Sequence, residues 1–303
     1  MFKNLLVYRL GPDWSATTEQ IEEALDKGRF APCGATQPNS SGWVPPRGTP
    51  HGPLVEPVGR HLLLKLMTEQ KVLPGSVVKR RTEELAQQAE AASGRKPGKK
   101  QMKELKEQAE LELLPMAFTK QSALKVWIDP ADRFLVIDAG SPGKAEEAVT
   151  ALVKALDGFA VGALHTEMSP TAAMSDWLAS GEPPAGFTVD RDCELKSADE
   201  MKSVVRYARH PLDIDEVRQH IGAGKVPTKL ALTWDSRVSF LLTDTLQIKK
   251  LGFLDVVFEG VQPGGDKDEA FDADAAIATG ELSRLLPDLI DALGGEKPQP
   301  MAA

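Results

Sequence analysis

Between two helix-forming segments the chain reads SGRKPGKK. Its centre, RKPGKK, sets Arg95, Lys96, Lys99 and Lys100 within six residues and holds no acid. Four cations on an exposed Gly/Pro break are suited to phosphate contact, because counterion release rewards local positive charge. The flanking cations Lys79, Arg80, Arg81, Lys103 and Lys106 alternate with glutamates, and for them a solvated helical face is the simpler expectation. Other stretches that could do chemistry are weaker. GAGKVPTK resembles a phosphate loop, but that pattern needs Gly at Gln219 and Ser or Thr at Val226, on a turn from strand to helix. Here the order is helix, cap, strand, so the expectation is a helix C-cap that leaves Lys225 and Lys229 free to face an anion. His51, His61, His165, His210 and His220 have no metal-ligand spacing. FDAD, with Asp272 and Asp274, lacks the glycine and spacing of a calcium loop and is expected to be a solvated acidic turn. No GxSxG elbow occurs, and Cys33 has no histidine beside it in sequence. The expectation is a protein that is not an enzyme and needs no cofactor and no metal.

These residues need elements to position them. Residues 77–114 read as two charged helices around the break, a helical hairpin forming a protruding arm. Met102, Leu105 and Ala109 give its second helix one narrow apolar stripe. FKNLLVYRL at the N-terminus and residues 61–69 read as strands. Residues 17–27 read as a helix with Ile21, Ala24 and Leu25 inward. Residues 31–57, rich in Gly, Pro, Ser and Thr, read as an ordered loop stiffened by GWVPP. LKVWID and FLVIDAG form a hairpin, and residues 144–156 a helix. In the second half, Ser169 caps a short helix. Asp213 and Glu216 have capping-box spacing for a helix ending at Gly222. TKLALTW, RVSFLLT and QIKKLGF read as an antiparallel meander, and residues 281–293 as an amphipathic helix followed by a disordered tail. The fold class is α+β with antiparallel sheets, packed helices and the helical hairpin. The expected organisation is a discontinuous central region (1–75 and 119–165), a hairpin tip region (76–118) and a base region (166–303).

The chain has 303 residues and a formal net charge of −8, so it is not a globally basic nucleic-acid binder. The sign is uneven: residues 65–125 carry 13 Lys/Arg against 8 Asp/Glu, and residues 241–303 carry 5 against 12. Such asymmetry suggests that one surface meets a polyanion. Two distant cysteines make no disulfide framework, and no stretch approaches the roughly 20 apolar residues of a membrane span. A cytoplasmic protein without a membrane partner is expected.

A set of motifs then carries a resemblance over essentially the whole chain. FKNLLVYRL, APCG, GWVPP, KVLP, LLPMAF, the WID hairpin, AGKVPTKLALTW, FDAD and TGEL…LIDALGGE, in this order, resemble the RdgC family of bacterial recombination-associated proteins. The resemblance implies a sequence-nonspecific DNA-binding protein without catalytic activity. It implies a horseshoe-shaped subunit and a homodimer closed at both ends into a ring whose positively lined hole holds duplex DNA; single-stranded DNA is a further candidate. It implies nucleoid association, a link to recombination and replication, and limited access of the RecA recombinase to DNA. By the same resemblance, Phe118 takes the aromatic position at the gate, the smaller subunit contact. Core packing beneath the arm is the alternative. Arg95 matches a basic residue of the arm, Arg209 one facing the hole, and Lys225 the lysine of AGKV. His210 departs from the family's more usual polar residue, and Met116 stands where some relatives have a basic one. A recombination regulator working mainly by direct protein contact through the acidic C-terminal half, with DNA secondary, is the competing reading.

Overall fold

The computed structural model describes residues 1–199, 201–260 and 266–297. In chain order the elements are β1 (Leu5–Leu10), α1 (Thr18–Asp26), β2 (Asn39–Trp43), β3 (Glu56–Val58), β4 (His61–Val72), α2 (Gly75–Ser93) and α3 (Lys99–Leu113). A 3-10 turn (Leu114–Met116), β5 (Phe118–Asp129), β6 (Phe134–Asp138), α4 (Pro142–Ala155), β7 (Val161–Ala163) and α5 (Pro170–Ser180) follow. The remainder is β8 (Phe187–Ser197), β9 (Val204–Tyr207), α6 (Asp215–Gly222), β10 (Lys225–Trp234), β11 (Val238–Thr243), β12 (Ile248–Phe253), a 3-10 turn (Asp255–Phe258) and α7 (Lys267–Ala292).

The strands form one sheet rather than several, in the order β2-β4-β5-β6-β1-β12-β11-β10-β8-β9, with β3 added to β4 and β7 to β1. All pairings between named strands among the described residues are antiparallel, as the sequence suggests. The halves join at β1 and β12, where Leu5 lies opposite Ile248.

Alternation along β1 explains the layering. Leu6 and Leu10 point to a core shared with Ile21 and Leu25 of α1 and with Ala148 and Leu152 of α4. Leu5 points the other way, to a core that contains Leu63, Trp127 and Val136 of the first half, Leu230, Leu232 and Phe240 of the second, and Leu282, Leu285 and Leu289 of α7. Helix α7 therefore packs against residues of both halves. The first half of the sheet is covered on both faces. The β8–β12 portion has a core on one face only among the described residues.

Local signals account for most helices. Thr17 and Gln20 make a reciprocal capping box on α1. Ser169 caps α5, Pro170 opens it and left-handed Gly181 ends it. The expected loop at residues 31–57 instead contains β2 and β3. A Cβ on Gly42 would lie 2.5 Å from the Phe30 Cα, so only glycine lets β2 run so close to that segment. The expected Asp213/Glu216 capping box does not form: α6 starts after Ile214 with no side-chain cap, and Asp213 pairs with Arg218 instead. FDAD is not a turn but part of α7, capped by Asp266, whose Oδ1 accepts from the Asp268 and Glu269 amides. The tail expected to be disordered, from residue 298 onward, lies outside the described residues.

Candidate nucleic-acid interface

The arm is α2 packed on α3. Only Val78, Thr82 and Leu85 of α2 and Ala109 of α3 are buried, as the thin apolar stripe requires. α2 ends on Gly94 at φ 68°, whose amide donates to Glu90 O at 2.8 Å. This left-handed cap turns the chain sharply. α3 begins at Lys99, so Lys99 and Lys100 occupy a first turn that has no acid. The helix dipole is positive at that end and disfavours cations there. Arg95, Lys96, Lys99 and Lys100 thus concentrate positive charge where the backbone adds more of it.

The cations of the shaft are compensated. Lys79 lies 3.9 Å from Glu83, Lys103 3.8 Å from Glu107 and Lys106 3.5 Å from Glu110. Arg80 reaches Glu84 at 4.0 Å, and Arg81 bridges the helices to Glu112 at 2.7 Å. None of the four tip cations has an ion pair among the described residues. The interleaved glutamates quench the shaft and leave the tip unneutralised.

At the root of the arm the β4–β5 ladder, flanked by β2 as far as Gln70, ends in the register pair Val72–Phe118. Phe118 is 87% exposed and Met116 75% exposed. Packing beneath the arm, the alternative reading for Phe118, is overturned: its ring is in no core. Lys71 anchors the root through Nζ donation to Ala35 O and Leu114 O. Beside it, a groove of about 660 Å³ opens between α2 and α3, with Leu73, Val78 and Met102 among its apolar walls and Lys103 and Glu110 at its sides.

The second basic area lies on the open face of β8–β12. A hollow of about 570 Å³ is lined there by Arg191, Arg209 and Lys250, with Asp190, Asp192 and Ala231. Arg209 and Lys250 both hold left-handed backbone, at φ 54° and 52°. Non-glycine residues rarely adopt it, and such strain gathers at functional sites. Asp192 Oδ1 holds Arg209 in place by accepting from its amide at 2.7 Å. His210 beside it is tied down by its amide to Arg191 O and by Nδ1 at 2.8 Å from Pro211 O. Lys225 starts β10 opposite Ser197, half-buried, and does not line this hollow. Its ammonium has no ion pair among the described residues. The structure brings Arg95, Lys96, Lys99 and Lys100 together at the tip and sets Arg209 and Lys225 separately on the other half. Lys250 and Arg191 escaped the sequence reading: KK in a strand pattern gives no sign that the second lysine turns out of the alternation.

Lys229 is not free. Its Nζ lies 3.0 Å from Glu194 Oε1, and Arg206 donates to the other carboxylate oxygen at 2.6 Å. Thr228 adds a bond of 2.9 Å. Burial of Glu194 opposes ionisation, but the bonds from Arg206, Lys229 and Thr228 outweigh it and hold the carboxyl down at about 2. Asp272 pairs with Arg47, so FDAD is a structural clasp rather than a solvated turn. Among the described residues no three His, Cys, Asp or Glu side chains gather closely enough to hold a metal ion. No helix among them is long and apolar enough to cross a membrane.

A family model described as "Putative exonuclease, RdgC" matches residues 1–296. The recombination-associated protein RdgC of Dechloromonas aromatica (strain RCB) is 50% identical over 299 residues, 97% of this chain and 98% of that protein. The protein of the same name from Cupriavidus pinatubonensis is 48% identical over 299 residues, 98% of this chain and 99% of its own length. That of Bordetella pertussis (strain Tohama I) is 43% identical over 297 residues, 98% and 99% of the two chains.

Proposed function

The chain belongs to the RdgC family, whose matched relatives are named recombination-associated proteins, and from that premise we propose that it binds DNA without sequence preference, as a homodimeric ring around the duplex. The observation that carries this reading is the sorting of cations: paired along the arm shaft, unpaired at its tip. Phosphate contacts fix position without reading bases, which suits cations on a turn and in a shallow hollow rather than a helix built for a groove. An overall charge of −8 is compatible with this, because screening over roughly 8–10 Å makes each phosphate contact local.

Ring closure is the finer part of the proposal. Phe118 is an aromatic anchor left exposed among the described residues, and the groove between α2 and α3 is a fitting receptor in a second copy. A chain that surrounds duplex DNA restricts what else can load, and we assign limited RecA access to that. No catalytic step is part of the proposal. The test is a salt titration of binding to duplexes of unrelated sequence. Equal affinities with a steep linear fall of log affinity against log salt are expected. Sequence preference, or affinity indifferent to salt, would overturn the reading.

A further inference from the structure

Helix α7 does not close fully onto the sheet it crosses. A cavity of about 230 Å³ remains between them, beside Leu63 and Lys65 near the start of β4 and Lys125 and Val126 towards the end of β5. Its walls are mostly apolar: Phe2, Leu63 and Val126 from the sheet side, Phe271, Ala275 and Ala278 from α7. Ala275 and Ala278 leave the space open beside the bulkier Phe271 of the same helix. Two lysines stand in this lining. Lys65 and Lys125 are direct cross-strand partners, on the face that also carries Leu63 and Trp127.

Like charges placed directly opposite across two strands destabilise a sheet. An ordinary remedy is an acid between them, and none is in contact. Lys125 Nζ donates to Met1 O at 2.8 Å, a neutral acceptor. The Lys65 ammonium has neither a hydrogen bond nor an ion pair among the described residues. Asp274 also lines the cavity but is paired with neither lysine. The Lys65 and Lys125 ammonium groups and the Met1 amino group, which burial and Lys125 push below its usual pKa, face one carboxylate and leave a net positive charge beside an apolar pocket.

The roof is held in place. Arg47 lies 3.0 Å from buried Glu56 and 2.5 Å from Asp272, and its guanidinium sits 4.7 Å over the Phe271 ring. The same clasp places Pro46 in the wall. The cavity is therefore preformed, apolar in body and carries a few convergent polar groups, the usual make-up of a small-molecule site.

We propose that this cavity binds a small organic acid, its apolar body under α7 and its anionic head between Lys65 and Lys125. This goes beyond the DNA reading and does not depend on it.

The probe is 2-naphthoate, with uncharged 2-naphthamide as its isostere, titrated calorimetrically into the full chain. Saturable binding of one naphthoate per chain is expected, with naphthamide clearly weaker. Lys65→Met and Lys125→Met should each weaken naphthoate about fivefold, the effect of one charge at contact distance in water. Asp274→Asn should strengthen it by about the same factor, because a repelling charge is removed. The opposite signs separate a charge-selective site from general damage, and melting curves show which variants are folded. No binding at millimolar naphthoate, equal binding of naphthamide, or Asp274→Asn weakening naphthoate while folded would each overturn the proposal. Displacement of naphthoate by a short duplex at low salt would assign the lysines to phosphates and overturn it too.

Discussion

Val72 and Phe118 are the last register pair of the β4–β5 ladder, and both are exposed, at 46% and 87%. An apolar pair at the free end of a ladder makes no contribution to a core. With Met116 and Leu111 also exposed nearby in sequence, the arm root has apolar surface whose burial requires another surface.

Phe118→Ser should leave the monomer fold within about 0.5 kcal/mol of the parent, as for other exposed positions. Truncating an aromatic anchor at an interface commonly costs roughly 2 kcal/mol, enough to open a small contact. The variant should remain a dimer through the other contact and bind linear duplexes, but lose retention on closed circles when challenged with high salt. Equal retention of parent and variant on circles would remove Phe118 from the gate. Loss of folding would show that the ring is needed for the subunit's own stability and would remove it from the gate.

At the arm tip, Lys99→Glu with Lys100→Glu should weaken duplex binding and flatten its salt dependence. Stability should hold or rise slightly, because acids suit the first turn of α3 better than lysines do. Binding isotherms at several salt concentrations, beside a melting curve, check both halves. A steeper slope or unchanged affinity would move the tip away from DNA.

Arg209→Ala and Lys225→Ala sit apart in the structure, so their effects should add. Removing one cation from a phosphate should reduce the slope of log affinity against log salt by about 0.9, and removing both by about twice that. Unaltered binding by the double variant would mean that neither residue touches DNA.

Glu194 sets an acid limit. Its carboxyl is ordinarily near 4.5 and is held at about 2 in the fold. A depressed carboxyl stabilises above its unfolded pKa, and that stability drains away as pH falls from 4.5 towards 2. Glu194→Gln should therefore be less stable than the parent at neutral pH, with the gap narrowing across that window. Denaturant melts at a series of pH values measure it; a gap independent of pH would show that the carboxylate is not the source. On the DNA reading the same variant releases Arg206 and Lys229 and should steepen the salt dependence of binding.

How much of this was legible in the sequence depends on how far each residue's partner lies along the chain. Helix α1 was written locally, in Thr17, Gln20, Ile21 and Leu25, because capping and 3.6-residue periodicity involve neighbours within two turns. The β10–β12 meander was equally plain, since each strand pairs with the next. So was the sorting of tip from shaft, which rests on glutamates three or four residues from their lysines. The resemblance to the family was carried by motifs in order, and the comparisons bear it out.

What only the tertiary structure decided involves distant partners. NSSGW has no strand alternation and becomes β2 because β4 lends it a ladder. FDAD joins a helix and meets Arg47, 225 residues away from Asp272. Lys229 looked available until Glu194, on the adjacent strand, took it. Phe118 could not be placed by its type, since an aromatic residue is more often buried. Its exposure follows from its place at the last pair of the β4–β5 ladder, beyond the final β2 pair at Gln70, which is a property of the assembled sheet and not of the residues around it.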